Sequence, residues 1–243
     1  MSLRSTAAAT LVAVTMLTGC SPSATTPGTD LGGQMPAGCP SGAEPVPSLA
    51  VIQGNRAGTQ RVPLRLLDCY IGEPTLAVHS VVVVSDGSVT QAEWDRRWAP
   101  SPDHPRSERQ ALGEYLRGLA AALDAPARHA ESNPLEAISV AARALSRDGG
   151  RRVILVNDNL VQTAGRLPFQ NGYLYADPDD IVNQLTPGLD RAGVDLTGIE
   201  IVLMAAGTSS GDQPAFDTEQ RAMLVRLWTT LLIYLVSIPL GIA

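Results

Sequence analysis

Apolar residues along this chain fall into short continuous runs, separated by longer stretches in which they recur at helical spacing. The runs are His79–Val84 (HSVVVV), Arg152–Val156 (RVILV) and Ile199–Met204 (IEIVLM). Unbroken β-branched runs of this length predict strands buried on both faces. Upstream, Pro45 to Gln60 reads as irregular chain or a short strand, and Val62 to Asp68 alternates weakly, as an edge strand would. Between the strong runs, Leu112, Tyr115, Leu116, Leu119 and Leu123 share one face of a helix predicted over Ser107 to Leu123. A second helix is predicted from Pro134 to Ser146, with Ser132 or Asn133 as cap, Pro134 in the first turn and Asp148-Gly149-Gly150 ending it. A third spans Pro178 to Ala192, interrupted near Pro187-Gly188, and a last one starts at Thr218 behind the cap residue Asp217.

Strands alternating with helices predict an α/β fold: a single mostly parallel sheet with helices on both faces. Ligands of such sheets sit beyond the carboxyl ends of the strands. Here those ends read SDGSVT (Ser85 to Thr90), NDNLVQT (Asn157 to Thr163) and AAGTSSG (Ala205 to Gly211), all rich in small oxygen-bearing residues.

The first twenty residues have a different character. Arg4 is followed by a mostly apolar stretch, Ala7 to Leu17, and then Thr18-Gly19-Cys20. This is the layout of an export signal, and the apolar run is too short to span a bilayer. LTGC resembles the bacterial lipobox, which implies that residues 1–20 are a lipoprotein signal peptide and that Cys20 receives the lipid. The competing reading is an ordinary cleaved signal with a chance Cys. Residues 21–44, rich in Ser, Thr, Pro and Gly, then form a flexible tether. With Cys20 lipidated, Cys39 and Cys69 are the two cysteines left, and an oxidising compartment leads to the expectation of a Cys39–Cys69 disulfide. Two free thiols are the alternative.

The formal net charge is −6, and aromatic residues make up 4% of the chain. An acidic protein with no basic run is not expected to bind nucleic acid. All the positive charge comes from Arg, since the chain has no Lys. Its sequence shows no G-x-S-x-G, H-E-x-x-H, G-x-x-x-x-G-K or G-x-G-x-x-G. His79, His104 and His129 lie beside no Cys or Ser motif. An acid–base pair of Asp86 and Asp158 is conceivable, but a phosphatase of this sheet type would need a second Asp at position 88 and a Lys. The expectation is a protein that is not an enzyme.

Asp86, Ser88 and Thr90 have the spacing D-x-S-x-T behind a strand. This resembles the metal-ion-dependent adhesion site of von Willebrand factor A domains, whose first loop is D-x-S-x-S. That family supplies a Thr ahead of a helix, where this chain has Ser132, and an Asp after a later strand, where it has Asp158. The resemblance implies a reduced A-type fold and a degenerate site for Mg²⁺ or Mn²⁺ formed by Asp86, Ser88, Ser132 and Asp158. The match departs from the family in that Ser85 intervenes between strand and Asp. The hairpin expected between the first two helices has only Asp124 to Glu131 to hold it. The competing reading is that these residues are turn formers and helix caps.

The phrases VILVNDNLVQTAG, DLTGIEIVLMAAGTSSG and DTEQRAMLVRLWTTLL are similar to the A-like region of actinobacterial envelope proteins that often precedes an OmpA-like peptidoglycan-binding domain. This implies an A-like domain over residues 45–228 without the wall-binding module, followed by an apolar tail over 229–243. Leu227 to Ala243 carries no charge. It reads as the end of a helix packed on the sheet, as a short membrane segment, or as a coding artefact.

The function these features imply is a lipoprotein anchored at the extracytoplasmic face of the cell membrane. Its partner would be an envelope protein or wall component, held without catalysis. The alternatives are a solute-binding lipoprotein of a transporter and, further off, a metal-dependent hydrolase.

Overall fold

The computed structural model describes residues 14–16, 43–54, 59, 61–71, 77–89, 91–101, 105–125, 131–145, 150–165, 175–192, 195–208 and 216–237. Cys20, Cys39, Thr90, His104, His129, the tether as far as residue 42 and the chain after Ser237 lie outside them.

Six strands form one sheet: β1 (Val14–Met16), β2 (Ser48–Gly54), β3 (Val78–Ser85), β4 (Trp94–Trp98), β5 (Arg152–Asn157) and β6 (Ile199–Leu203). Their spatial order is β1-β6-β5-β2-β3-β4. All neighbours are parallel except β3 and β4. Five of these strands belong to the domain itself. β1 comes from the segment read as an export signal and pairs Val14 with Ile201 through Met16 with Leu203.

Each strand of the sheet centre is buried along its length, so alternate residues feed two cores. Ala50, Ile52, Val81, Val83, Ile154, Val156, Ile201 and Leu203 pack on one face with α3 (Pro134–Ala144), α4 (Pro178–Ala192) and α5 (Thr218–Ser237). Leu49, Val51, Val82, Val153, Leu155 and Val202 pack on the other with α1 (Leu64–Ile71) and α2 (Pro105–Leu123). The α/β sheet with helices on both faces is therefore as the sequence predicts.

Of the two readings of Pro45 to Gln60, the short strand holds: Ser48–Gly54 is a strand in the middle of the sheet, hydrogen-bonded to β3 and β5. Two elements differ from the sequence expectation. Val62–Asp68 is not an edge strand. Its apolar positions belong to helix α1, where Leu66, Leu67, Tyr70 and Ile71 recur at helical spacing and are buried. Pro63 sits just before it, and its carbonyl accepts from the amides of Leu66 and Leu67. The antiparallel strand β4, WDRRW, which the apolar pattern does not predict, lies between β3 and α2. Its charged residues suit an exposed edge and hide it from a hydrophobic scan. Trp94 anchors it edge-on to Tyr115 of α2 at 5.6 Å between ring centroids. Gly118 makes room for the indole: a Cβ there would come within 2.5 Å of the Trp94 ring.

α4 runs as one helix from Pro178 to Ala192. The apolar run after Trp228 does not leave the domain as a tail. It continues α5 to Ser237, with Leu231, Leu232 and Leu235 buried beside Leu224, Leu227 and Trp228. No helix among the described residues is long and apolar enough to cross a membrane. Cys69 of α1 is disulfide-bonded, and Cys39, its expected partner, lies outside the described residues.

Two consequences are measurable. Leu231→Ala leaves a cavity under α5 and should lower unfolding stability by about 2–5 kcal/mol, read from the urea midpoint at unchanged slope. Burial also raises the Tyr70 and Tyr115 hydroxyls above their ordinary value of 10.0; beside Tyr70, Glu200 adds to this and Arg151 opposes it. Both groups hold their proton more tightly folded than unfolded. Stability should thus be intact below pH 10 and fall as the pH rises toward the folded values. A Tyr115→Phe variant should show a flatter alkaline limb in the same measurement.

Candidate functional site

The register levels the strand ends. Gly54 of β2 pairs with Ser85 of β3, and Gln53 pairs with Asn157 of β5. The polar residues that follow, or close, these strands therefore collect at one rim. Most are buried: Gln53, Ser85, Ser132 and Gln162 at 0% exposure, Asp158 at 1%. Buried polar groups need partners, and here the loops supply them to one another.

Gln53 and Asn157 join β2 to β5. The Asn157 Nδ2 donates to Gln53 Oε1 at 3.0 Å, and the same oxygen accepts from the Val62 amide at 3.2 Å. Ser132, ahead of α3, joins three segments. Its amide donates to Thr163 Oγ1 at 2.9 Å, and its carbonyl accepts from the Thr163 and Ala164 amides. Its hydroxyl donates to Asp158 Oδ2 at 3.3 Å and lies 3.1 Å from the Ser85 hydroxyl. The other oxygen of Asp158, Oδ1, accepts from the Leu160 amide at 2.7 Å.

Leu160 is the one non-glycine residue with positive φ among those described, at 62°. A buried Leu held in this conformation is over-determined by its surroundings. Its amide is held by Asp158, its side chain is fully buried, and its carbonyl accepts from the Trp228 indole at 2.9 Å. The next loop is tied in by the Gly207 amide, which donates to the Asn159 carbonyl at 2.9 Å.

The start of α3 is likewise closed. Asn133, not Ser132, is its cap: Asn133 Oδ1 accepts from the Glu136 amide at 3.4 Å, and Gln162 Oε1 accepts from Leu135 at 3.2 Å. The Gln162 Nε2 is buried and has no hydrogen-bond partner among the described residues.

Of the four residues expected to form a metal site, the fold brings Ser132 and Asp158 into contact. Asp86 follows Ser85, which reaches Ser132, but Asp86 Oδ1 accepts from the Ser88 amide at 2.9 Å in a local turn. Ser88 is exposed. β2 precedes β3, so the loop behind the domain's first strand starts after Gly54, and Asp86 follows the second strand. Ser85, read as an interruption of the pattern, is the β3 residue that faces the cluster. The signal for β2 was present in the apolar run Leu49–Ile52, masked by the Pro and Gly residues around it.

This donor set does not fit Mg²⁺ or Mn²⁺. Such hard cations take several oxygen ligands, with carboxylates supplying the charge. The cluster offers one carboxylate, with both oxygens accepting hydrogen bonds, and two hydroxyls. Among the described residues no group of three or more His, Cys, Asp or Glu is placed to hold a metal. His79 is at the opposite end of β3, with Nε2 2.7 Å from Asp95 Oδ1. TSSG begins as a turn, with Thr208 Oγ1 donating to the Ala205 carbonyl at 2.8 Å.

Comparison with protein-family models, with curated proteins and with solved structures gives no match to this chain. The A-type resemblance thus rests on the residues quoted above and on an element order compatible with it.

Gly165 fixes the loop behind the cluster, with φ +77° and a would-be Cβ 2.7 Å from the Asn133 side chain. Gly165→Ala should cost more than about 1 kcal/mol, through both backbone strain and displacement of the α3 cap. Urea unfolding followed by far-UV circular dichroism would read it.

Proposed function

We propose that this chain is a membrane-anchored exported lipoprotein whose α/β domain binds a protein or cell-envelope component at the rim of its sheet, without catalysis. One observation supports the reading above the rest. The polar groups gathered at the rim hydrogen-bond to one another across β2, β3, β5 and the start of α3, so the loops form a preorganised surface rather than a set of reactive groups. Ser132 and Asp158, the pair nearest to a catalytic arrangement, are both buried. The lipobox-like LTGC and the low-complexity segment behind it are what a domain displayed on a tether requires.

In this reading Cys20 carries the lipid and the domain stands on the extracytoplasmic face of the membrane. A preorganised loop surface binds with little ordering cost, which favours a folded partner such as another envelope protein.

Anchoring is the part open to direct test. Cells expressing the full chain should incorporate labelled palmitate into the protein and retain it in the membrane fraction. Cys20→Ala should lose the label and accumulate as unprocessed precursor. Label that persists in Cys20→Ala would overturn the lipoprotein reading.

A further inference from the structure

The A-type resemblance implies three loops gathered around a cation. Among the described residues of this chain, the space at the end of the domain's first strand is taken by a carboxylate. The last residue of that strand is Gly54. A Cβ built there would lie 3.0 Å from Asp158 Oδ2, 3.1 Å from the Asn157 carbonyl and 3.2 Å from Thr59 Cγ2. The carboxylate of Asp158 thus occupies the space that a side chain at position 54 would take. The sequence from Gly54 to Thr59, GNRAGT, contains an Arg and no carboxylate; residues 55–58 lie outside the described residues.

The hydrogen bonds have a direction. A hydroxyl carries one proton. Ser132 gives its proton to Asp158 Oδ2, so at the 3.1 Å contact it accepts from Ser85. The chain runs Ser85 to Ser132 to Asp158, and Asp158 Oδ1 takes the Leu160 amide. Three pieces of the fold are thereby tied at one carboxylate: β3 through Ser85, the entry to α3 through Ser132, and the turn after β5 through Leu160; Gly54 of β2 leaves the carboxylate its space. A cation bound to Asp158 Oδ2 and Ser132 would have to displace the hydrogen bond between them while gaining a single carboxylate.

We propose that Asp158 closes this rim in place of a cation, as a hydrogen-bonded latch, and that the rim is formed and recognises its partner independently of divalent metal. A partner therefore need not bring an acidic residue to complete a coordination sphere. This concerns the same rim as the binding reading, but its test uses no partner, so either can fail alone.

The test is thermal unfolding of the full-length protein in Mg²⁺, in Mn²⁺ and in EDTA, for the parent, Ser132→Ala, Asp158→Asn and the double variant. The latch predicts one midpoint for the parent in all three solutions. Ser132→Ala and Asp158→Asn should each lower it by the same amount with or without metal. Their effects should not add, because both break one chain of bonds. A parent midpoint raised by Mg²⁺ or Mn²⁺ over EDTA, with the rise lost in Ser132→Ala, would overturn the proposal. So would strictly additive effects of the two substitutions. If Asp158→Asn does not fold, the metal response of the parent and of Ser132→Ala still decides, since neither needs that variant.

Discussion

The rim depends on the register in which β2 lies between β3 and β5. Parallel pairing of Ser48 with both His79 and Arg152 brings the three strands to an end at nearly one level. A shift of one residue in either pairing would turn its apolar residues to the wrong face. It would also separate Gln53 from Asn157 and lift Ser85 away from Ser132. The register is held by two cores at once, since the strands are buried on both sides. The polar cluster is therefore a product of apolar packing: the hydrophobic residues set where the strands stop, and the loops then satisfy one another's buried groups.

Much of this architecture was legible because the residues concerned behave alike in most settings. The valine-rich runs at β3, β5 and β6 have few alternatives to a buried strand. The Asn133-Pro134 step and Asp217 mark helix starts through local hydrogen bonding, which does not depend on the rest of the fold. What escaped reading depended on distant partners. WDRRW looks like solvent-facing chain until Tyr115 and Gly118 of α2 are brought beneath Trp94. Leu64 to Ile71 competes between two periods over a window too short to decide, and only packing beneath the sheet selects the helix.

The site was legible to a similar degree and for similar reasons. Ser132 and Asp158 were found because residue type and position behind a strand or before a helix carry information. Asp86 follows β3, the second strand of the domain, and its Oδ1 accepts from the Ser88 amide in a local turn. The role of Ser85 was invisible, because it is created by a contact 47 residues away in sequence. Gly54 could not have been recognised as the place where a side chain is excluded, since the carboxylate filling that space comes from the turn after β5.

The bond from the Trp228 indole to the Leu160 carbonyl joins the last helix to the turn that Asp158 closes. That turn is held in a strained backbone conformation, so its shape is conditional on the grip at both ends. A pull or twist applied along α5 would reach the loops of the rim through Trp228 and through Arg221, whose Nε donates to the Gly207 carbonyl beside Asn159. The rim and α5 would behave as parts of one mechanical linkage.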